Sequence, residues 1–293
     1  MNLQEQVPLS KYTTLGTGGP ARWFGLPDTV DELVRMLAWA RERDLPVAAV
    51  GLGSNLLAAD AGFDGVVVKL AGELASARVE GELLMAGGGA PLAVCLHRAR
   101  AAGLGGLEFV CAIPGTVGGA VKMNAGAYGG DIASVLARAR IADAGGAEWG
   151  TPAELGLSYR QSSLEPGQVV AAAEVRGSPS PVDEIKATVA EMQSQRKGAQ
   201  PTNRRTFGSV FKNPEHELTA GRMLEACGLR GFRIGGAQIS PKHANFIENA
   251  GEARSDDAVG LIAEARRRAL DQFGVRLEPE VQLLGAIEIP PLG

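Results

Sequence analysis

The run Ile113-Pro-Gly-Thr-Val-Gly-Gly-Ala-Val-Lys-Met-Asn-Ala-Gly-Ala-Tyr-Gly-Gly130 sets the strongest limit on what this chain can fold into. It is too rich in glycine to predict a helix. Through Val117, Ala120, Val121 and Met123 it is also too apolar for an exposed linker. A buried irregular segment must have its amides satisfied. Either other backbone seals it, or a large ligand carrying phosphates and an apolar ring does. Glycine is abundant throughout, 40 of 293 residues, against a usual share of ~7%. No G-x-y period accompanies it, which excludes a collagen-like chain. Two further clusters are Gly51-Leu-Gly-Ser-Asn-Leu-Leu57, which follows the short apolar strand expected at 47–50, and Gly87-Gly-Gly-Ala-Pro91. The first can aim amides at an anion, with Ser54 and Asn55 adding donors. It is not a GxGxxG fingerprint, and a tight turn with a small Asx cap explains it equally well. The second joins a strand to a helix, a place that can hold phosphate and more often holds nothing. No Walker lysine and serine pattern is present, so nucleotide hydrolysis is disfavoured.

The rest of the sequence narrows the class. The formal charge is −4 with pI near 5.6, without the basic footprint of a nucleic-acid binder. Cys95, Cys111 and Cys227 lack CxxC spacing, and His97, His216 and His243 make no HxxxH pattern, so neither a disulfide framework nor a metal site is expected. No export signal and no membrane-spanning run of about 18 apolar residues is visible, which makes a cytoplasmic location the expectation. Hairpin patterns outnumber helices, and the expected class is α+β. Three units are expected, at 1–64, 65–202 and 203–293. Thr29 and Glu32 predict a capped helix start, with Leu33, Leu37 and Ala40 on the apolar face and Met36 at its edge. Ser255 predicts the cap of a long helix ending near Gly274.

Four stretches offer side-chain chemistry. Tyr159-Arg160 places a bidentate cation between elements, although a structural arginine is the commoner outcome. The basic loop Arg196–Arg205 fits either a solvated charge run or a docking edge for a phosphate-bearing substrate. In Phe207-Gly-Ser-Val-Phe-Lys-Asn213, strand alternation predicts that Ser209 faces the same way as Phe207 and Phe211, and a buried hydroxyl there must be bonded or face a cavity. The run Leu277–Leu284 predicts a strand with Glu278 and Glu280 on one face, either solvated or, if one is enclosed, able to exchange a proton.

Taken together, these motifs resemble the UDP-N-acetylenolpyruvoylglucosamine reductase family. The match runs from about Leu9 to Gly285 through TLGTGGPA (Thr14–Ala21), GSNLL (Gly53–Leu57), the Ile113–Gly129 block, YRQS (Tyr159–Ser162), QRKGAQP (Gln195–Pro201), GSVFKNP (Gly208–Pro214) and LEPEVQLLG (Leu277–Gly285). The glycine blocks alone also resemble the wider vanillyl-alcohol-oxidase-like FAD domains. The resemblance implies two FAD-binding lobes, 1–64 and 65–202, and a substrate lobe at 203–293. It is closer to the shorter subtype that lacks an extra tyrosine-bearing loop. It implies FAD, noncovalently held, and NADPH as reductant, with UDP-N-acetylglucosamine enolpyruvate reduced to UDP-N-acetylmuramate for peptidoglycan precursor synthesis. A monomer or weak dimer, without nucleic-acid or membrane partners, is expected.

Residue by residue, the resemblance carries the catalytic roles onto Arg160, Ser209 and Glu280. Cofactor contacts fall on Gly51, Gly53, Ser54, Asn55 and Leu56, on Gly88, and on Pro114, Gly115, Thr116, Gly118, Gly119, Asn124, Ala125 and Gly126. Substrate contacts fall on Tyr159, Lys212, Asn213, Gln238 and His243, with Lys242 and Asn245 nearby in GGAQISPKHANF. Leu52 departs from what is often a third glycine, and Ser163-Leu-Glu from the usual sequence after the arginine motif. Two other functions share some of these features: an FAD oxidase acting on another alcohol or sugar, and a nucleotide-sugar binder without turnover.

Overall fold

The computed structural model describes residues 2–292. The chain divides into two compact units. The first comprises residues 1–5, 23–52 and 64–196; the second comprises 6–22, 53–63 and 197–293. Against the divisions expected near 64 and 202, the 53–63 segment leaves its sequence neighbours. Its strand Leu56–Ala58 pairs in parallel with Gln282–Leu284, so a distant part of the chain claims it. Among the described residues no helix is long and apolar enough to cross a membrane.

In the first unit an antiparallel five-stranded sheet runs in the order Gly146–Gly150, Leu136–Asp143, Val169–Arg176, Leu83–Gly87, Ala77–Glu80. Val170, Ala173 and Val175 join Leu92, Cys95, Leu96 and Ala99 of the helix Leu92–Ala101 in one core. The helix Val30–Arg41 begins as expected, with Thr29 Oγ1 accepting the Glu32 amide at 3.2 Å. The Glu32 carboxylate instead accepts from the Asp28 amide, so the reciprocal half of the capping box is displaced by one residue. Met36 lies inside the core rather than at its edge.

One expectation fails here. Val117–Lys122, in the middle of the glycine-rich run, is helical. Propensity argues against it, but packing decides. A Cβ on Gly118 would lie 3.0 Å from the Gly88 carbonyl oxygen and 3.3 Å from that of Val170, a backbone approach that only glycine accepts with ease.

The second unit carries an antiparallel sheet in the order Thr206–Ser209, Phe246–Asn249, Ala237–Ile239, Arg233–Ile234. The helix Ser255–Phe273 lays Leu261, Ile262, Ala265 and Ala269 into the same core as Phe207, Phe211 and Ile239. Ser255 is not its cap but its first helical residue. Its amide donates to Asp60 Oδ2 at 2.8 Å, and its hydroxyl accepts the Asp60 amide at 3.0 Å. Gly274, at φ +68, ends the helix as expected. The regular terminal strand covers only Gln282–Leu284. Upstream, Pro279 has no amide to offer a ladder, and contact with the Val210–Lys212 backbone continues as separate bonds.

Candidate active site

Ser209 and Glu280 are brought together by backbone pairing within the second unit. The Glu280 amide donates to the Val210 carbonyl at 2.8 Å, and the Lys212 amide to the Glu278 carbonyl at 2.9 Å. Ser209 does not share the face of the two phenyl rings. Thr206 pairs with Glu248 and Ser209 with Phe246, so three steps on one strand match two on the other. This is a β-bulge, and Gly208 at φ +83 occupies it. Phe207, Val210 and Phe211 are buried while Ser209 is half-buried, as an irregular strand allows and strict alternation does not. Asn245 holds the far side. Its side chain accepts from the Phe211 amide and donates to the Phe211 carbonyl, each at 2.9 Å. Its own carbonyl accepts the Val210 amide.

Glu280 is half-buried and Glu278 exposed, so the two carboxylates divide as their sequence alternation could not reveal. Glu278 pairs with Lys212 at 2.5 Å. Lys212 has only 14% of its side chain exposed, yet one of its directions is taken by this ion pair. Asn213 accepts the Ala220 amide at 3.1 Å, and Gln238 donates to the Gly231 carbonyl at 3.2 Å. Lys242 donates to the Lys197 carbonyl through its ammonium group.

His243 sits against the ring of Phe246, with centroids 5.0 Å apart, and its Nδ1 accepts the Asn245 amide at 3.2 Å. Burial first, then the positive charge of Arg230, pushes its pKa below the ordinary histidine value, with Glu225 opposing. A depressed pKa means that the unfolded chain binds the proton more readily. The contribution to stability is therefore intact above the unfolded value of about 6.5 and is lost as pH falls through the lower folded value. The melting temperature should fall between pH 7 and 5, and His243→Gln should make that fall shallower. Superimposable pH profiles for the two proteins would exclude this role.

Arg160 belongs to the first unit. It takes a left-handed conformation at φ +56 within a turn that Ser158 and Gln161 close by two reciprocal backbone bonds of 3.1 Å. Its guanidinium donates to the Gly126 carbonyl at 2.7 Å and stacks 5.0 Å from the exposed Tyr159 ring. Arg160 is thereby fastened to the glycine-rich run. Asn124 is buried and fully engaged, donating to the Ser158 carbonyl at 3.0 Å and accepting the Ala133 amide at 2.8 Å. Its side chain therefore shapes the loop rather than reaching outward.

The glycine clusters fit a dinucleotide cofactor in part. The amides of Gly88 and Gly118 are spent on the Ala171 and Gly88 carbonyls, at 2.8 and 2.7 Å, so these two residues contribute shape and no donor. Gly51 presses on Thr116 so closely that a Cβ would overlap its hydroxyl. Lys69, overlooked in the sequence because it stands alone, donates to the Gly51 carbonyl at 2.8 Å, and burial lowers its pKa. Beside Ile113, Pro114 and Gly115 opens a cleft of about 420 Å³ in the first unit. Its apolar walls include Leu52, Pro91 and Val110, and Arg100 and Arg196 stand among its lining. An aromatic ring with an attached phosphate suits those walls and that charge.

Residues 22–149 match the family described as FAD binding domain, and residues 200–284 match UDP-N-acetylenolpyruvoylglucosamine reductase, C-terminal domain. The UDP-N-acetylenolpyruvoylglucosamine reductase of Anaeromyxobacter dehalogenans strain 2CP-C is 44% identical over 285 residues, covering 97% of this chain and 86% of that protein. The chain belongs to the UDP-N-acetylenolpyruvoylglucosamine reductase family. The enzyme of that name from Agathobacter rectalis is 41% identical over 97% of this chain and 95% of its own length. The crystal structure of the reductase from Thermus caldophilus superimposes with a TM-score of 0.85 at 39% identity, covering 97% of this chain and all of that one. The α+β architecture with an N-terminal FAD-binding fold is that of this reductase family.

Proposed function

We infer that this chain is an FAD-dependent reductase that uses NADPH to convert UDP-N-acetylglucosamine enolpyruvate into UDP-N-acetylmuramate, a step in peptidoglycan precursor synthesis. The observation that carries the reading is the bulged strand at Ser209 hydrogen-bonded beside Glu280, in a chain of this family. When bound, FAD supplies the hydride relay between NADPH and the substrate's methylene carbon. The side chains supply the rest. Ser209 gives its hydroxyl proton to the carbon bearing the ether oxygen. Arg160, and Glu280 in a protonated form or sharing a proton in a hydrogen bond, stabilise the negative charge that develops on the enolpyruvyl carboxylate side. Serine is a weak acid, so its placement must contribute more than its pKa.

Gly51, Gly53, Ser54, Asn55 and Leu56, and Pro114–Thr116 with Gly119, Ala125 and Gly126, form the noncovalent cofactor cradle in this reading. Lys212, Asn213, Gln238, His243 and Tyr159 serve the nucleotide sugar. The expected lobes are 1–64 and 65–202 for the cofactor and 203–293 for the substrate. A cytoplasmic monomer or weak dimer, with neither nucleic-acid nor membrane partners, completes the assignment. The test is anaerobic. The purified protein should absorb near ~450 nm, bleach with NADPH, and recover its absorbance when the enolpyruvyl substrate is added. Recovery with dioxygen but not with that substrate would instead identify an oxidase.

A further inference from the structure

The bulge that aims Ser209 is held from outside its own sheet. Thr14 is the residue that does it. Its amide donates to the Gly53 carbonyl at 3.1 Å, and its hydroxyl lies 2.6 Å from the Thr206 carbonyl and 3.0 Å from that of Gly53. A threonine hydroxyl has one proton to give. The shorter contact takes it, so the amide grips the Gly53–Asn55 loop while the hydroxyl grips the strand. Thr206 is the residue immediately before the bulge, where the pairing register shifts, and its own hydroxyl is buried with no hydrogen-bond partner among the described residues. Its carbonyl is therefore a principal anchor at the point where the strand leaves regular geometry.

The same loop touches the other side of the site. Asn55 Nδ2 donates to the Glu280 carbonyl at 3.1 Å, and the Asn55 carbonyl accepts the Gln282 amide at 3.0 Å. A Cβ on Gly208 would sit 3.0 Å from the Ser54 carbonyl oxygen, so the loop also lies directly against the bulge. We propose that Thr14 is a positioning residue for the proton-transfer step: while its amide holds the Gly53–Asn55 loop, its hydroxyl holds the Thr206 carbonyl and so fixes the bulge that sets the direction of Ser209. This rests on the assignment of Ser209 as proton donor. Thr14 makes no claim on substrate; it acts through the backbone of the strand.

Thr14→Val is a clean test because it keeps size, branching and the amide bond to Gly53 and removes only the hydroxyl. In the flavin-free full-length protein, amide hydrogen exchange at Phe207–Val210 should accelerate about tenfold or more, while the helix Ser255–Phe273 keeps its protection. In the FAD-loaded enzyme, flavin reduction by NADPH should stay within about twofold of wild type. Reoxidation by the enolpyruvyl substrate should slow by about tenfold or more, since small displacements of a reacting group carry penalties of that size. Thr14→Ser should restore both properties. Equal slowing of the two half-reactions, or wild-type exchange at the bulge, would overturn the inference. Ser209→Ala is run in parallel. If it reoxidises at the wild-type rate, the donor assignment fails and the expected kinetic effect of Thr14 fails with it, while the exchange result still decides whether Thr14 holds the bulge.

Discussion

Ser209→Ala should leave a folded, flavin-containing protein whose reoxidation by UDP-N-acetylglucosamine enolpyruvate is slower by about 10² or more, the range for loss of a positioned general acid. Deleting one hydroxyl from a half-buried position opens no large cavity, so stability should change by no more than about 0.5 kcal/mol. The backbone bonds that surround the residue, from Glu280 to Val210 and from Val210 to Asn245, do not involve its side chain. NADPH should bleach the flavin at an undiminished rate, because that half-reaction needs no proton from Ser209. Glu280→Gln should show the same split between the half-reactions, since the amide keeps a polar contact and loses the ionisable proton. The deciding measurement is rapid mixing of prereduced Ser209→Ala enzyme with substrate in the absence of dioxygen. Reoxidation near the wild-type rate removes Ser209 from the chemistry.

Local features were legible in the sequence wherever neighbouring residues decided them. Thr29 and Gly274 mark helix ends because a cap acts over a single turn. The motif order that identifies the family was likewise readable along the chain. What could not be read was set by partners far away. Ser255 carries a good N-cap side chain, yet Asp60, 195 residues distant, takes the bonding role and moves Ser255 inside the helix. The helix at Val117–Lys122 exists because Gly118 can press against Gly88 and Val170, a gain that no propensity scale contains. Alternation misplaced Ser209 for a related reason. A glycine next to a phenylalanine, as Gly208 is to Phe207, fits a regular strand, and only the Phe246–Asn249 partner shows that a residue has been inserted. Buried amide side chains were the least visible of all. Asn124 and Asn245 look like donors for a ligand, but each spends its carboxamide on main-chain groups that would otherwise be stranded.

Gly53→Ala should be severely damaging for a single-methyl change, and a comparison with Gly81→Ala shows why. Both glycines have left-handed backbone, at φ +66 and φ +59. Alanine pays about 1 kcal/mol at either for that conformation alone. They differ in surroundings. A Cβ on Gly81 meets nothing within 4 Å, whereas on Gly53 it would drive into the Tyr12 carbonyl oxygen and come within 2.7 Å of Thr13 Cα. Those contacts are backbone and cannot swing aside, so the Tyr12–Thr14 segment must move. Thr13 is itself tied, its hydroxyl donating to the Thr17 carbonyl at 2.7 Å, which spreads the displacement along the turn. The expected cost of Gly53→Ala is about 3 kcal/mol or more, against about 1 kcal/mol for Gly81→Ala. Urea denaturation of the flavin-free proteins measures both, and equal midpoints would refute the steric account. Because the moved segment carries Thr14, any folded Gly53→Ala protein should also lose protection at the Phe207–Val210 amides, which Gly81→Ala should leave untouched.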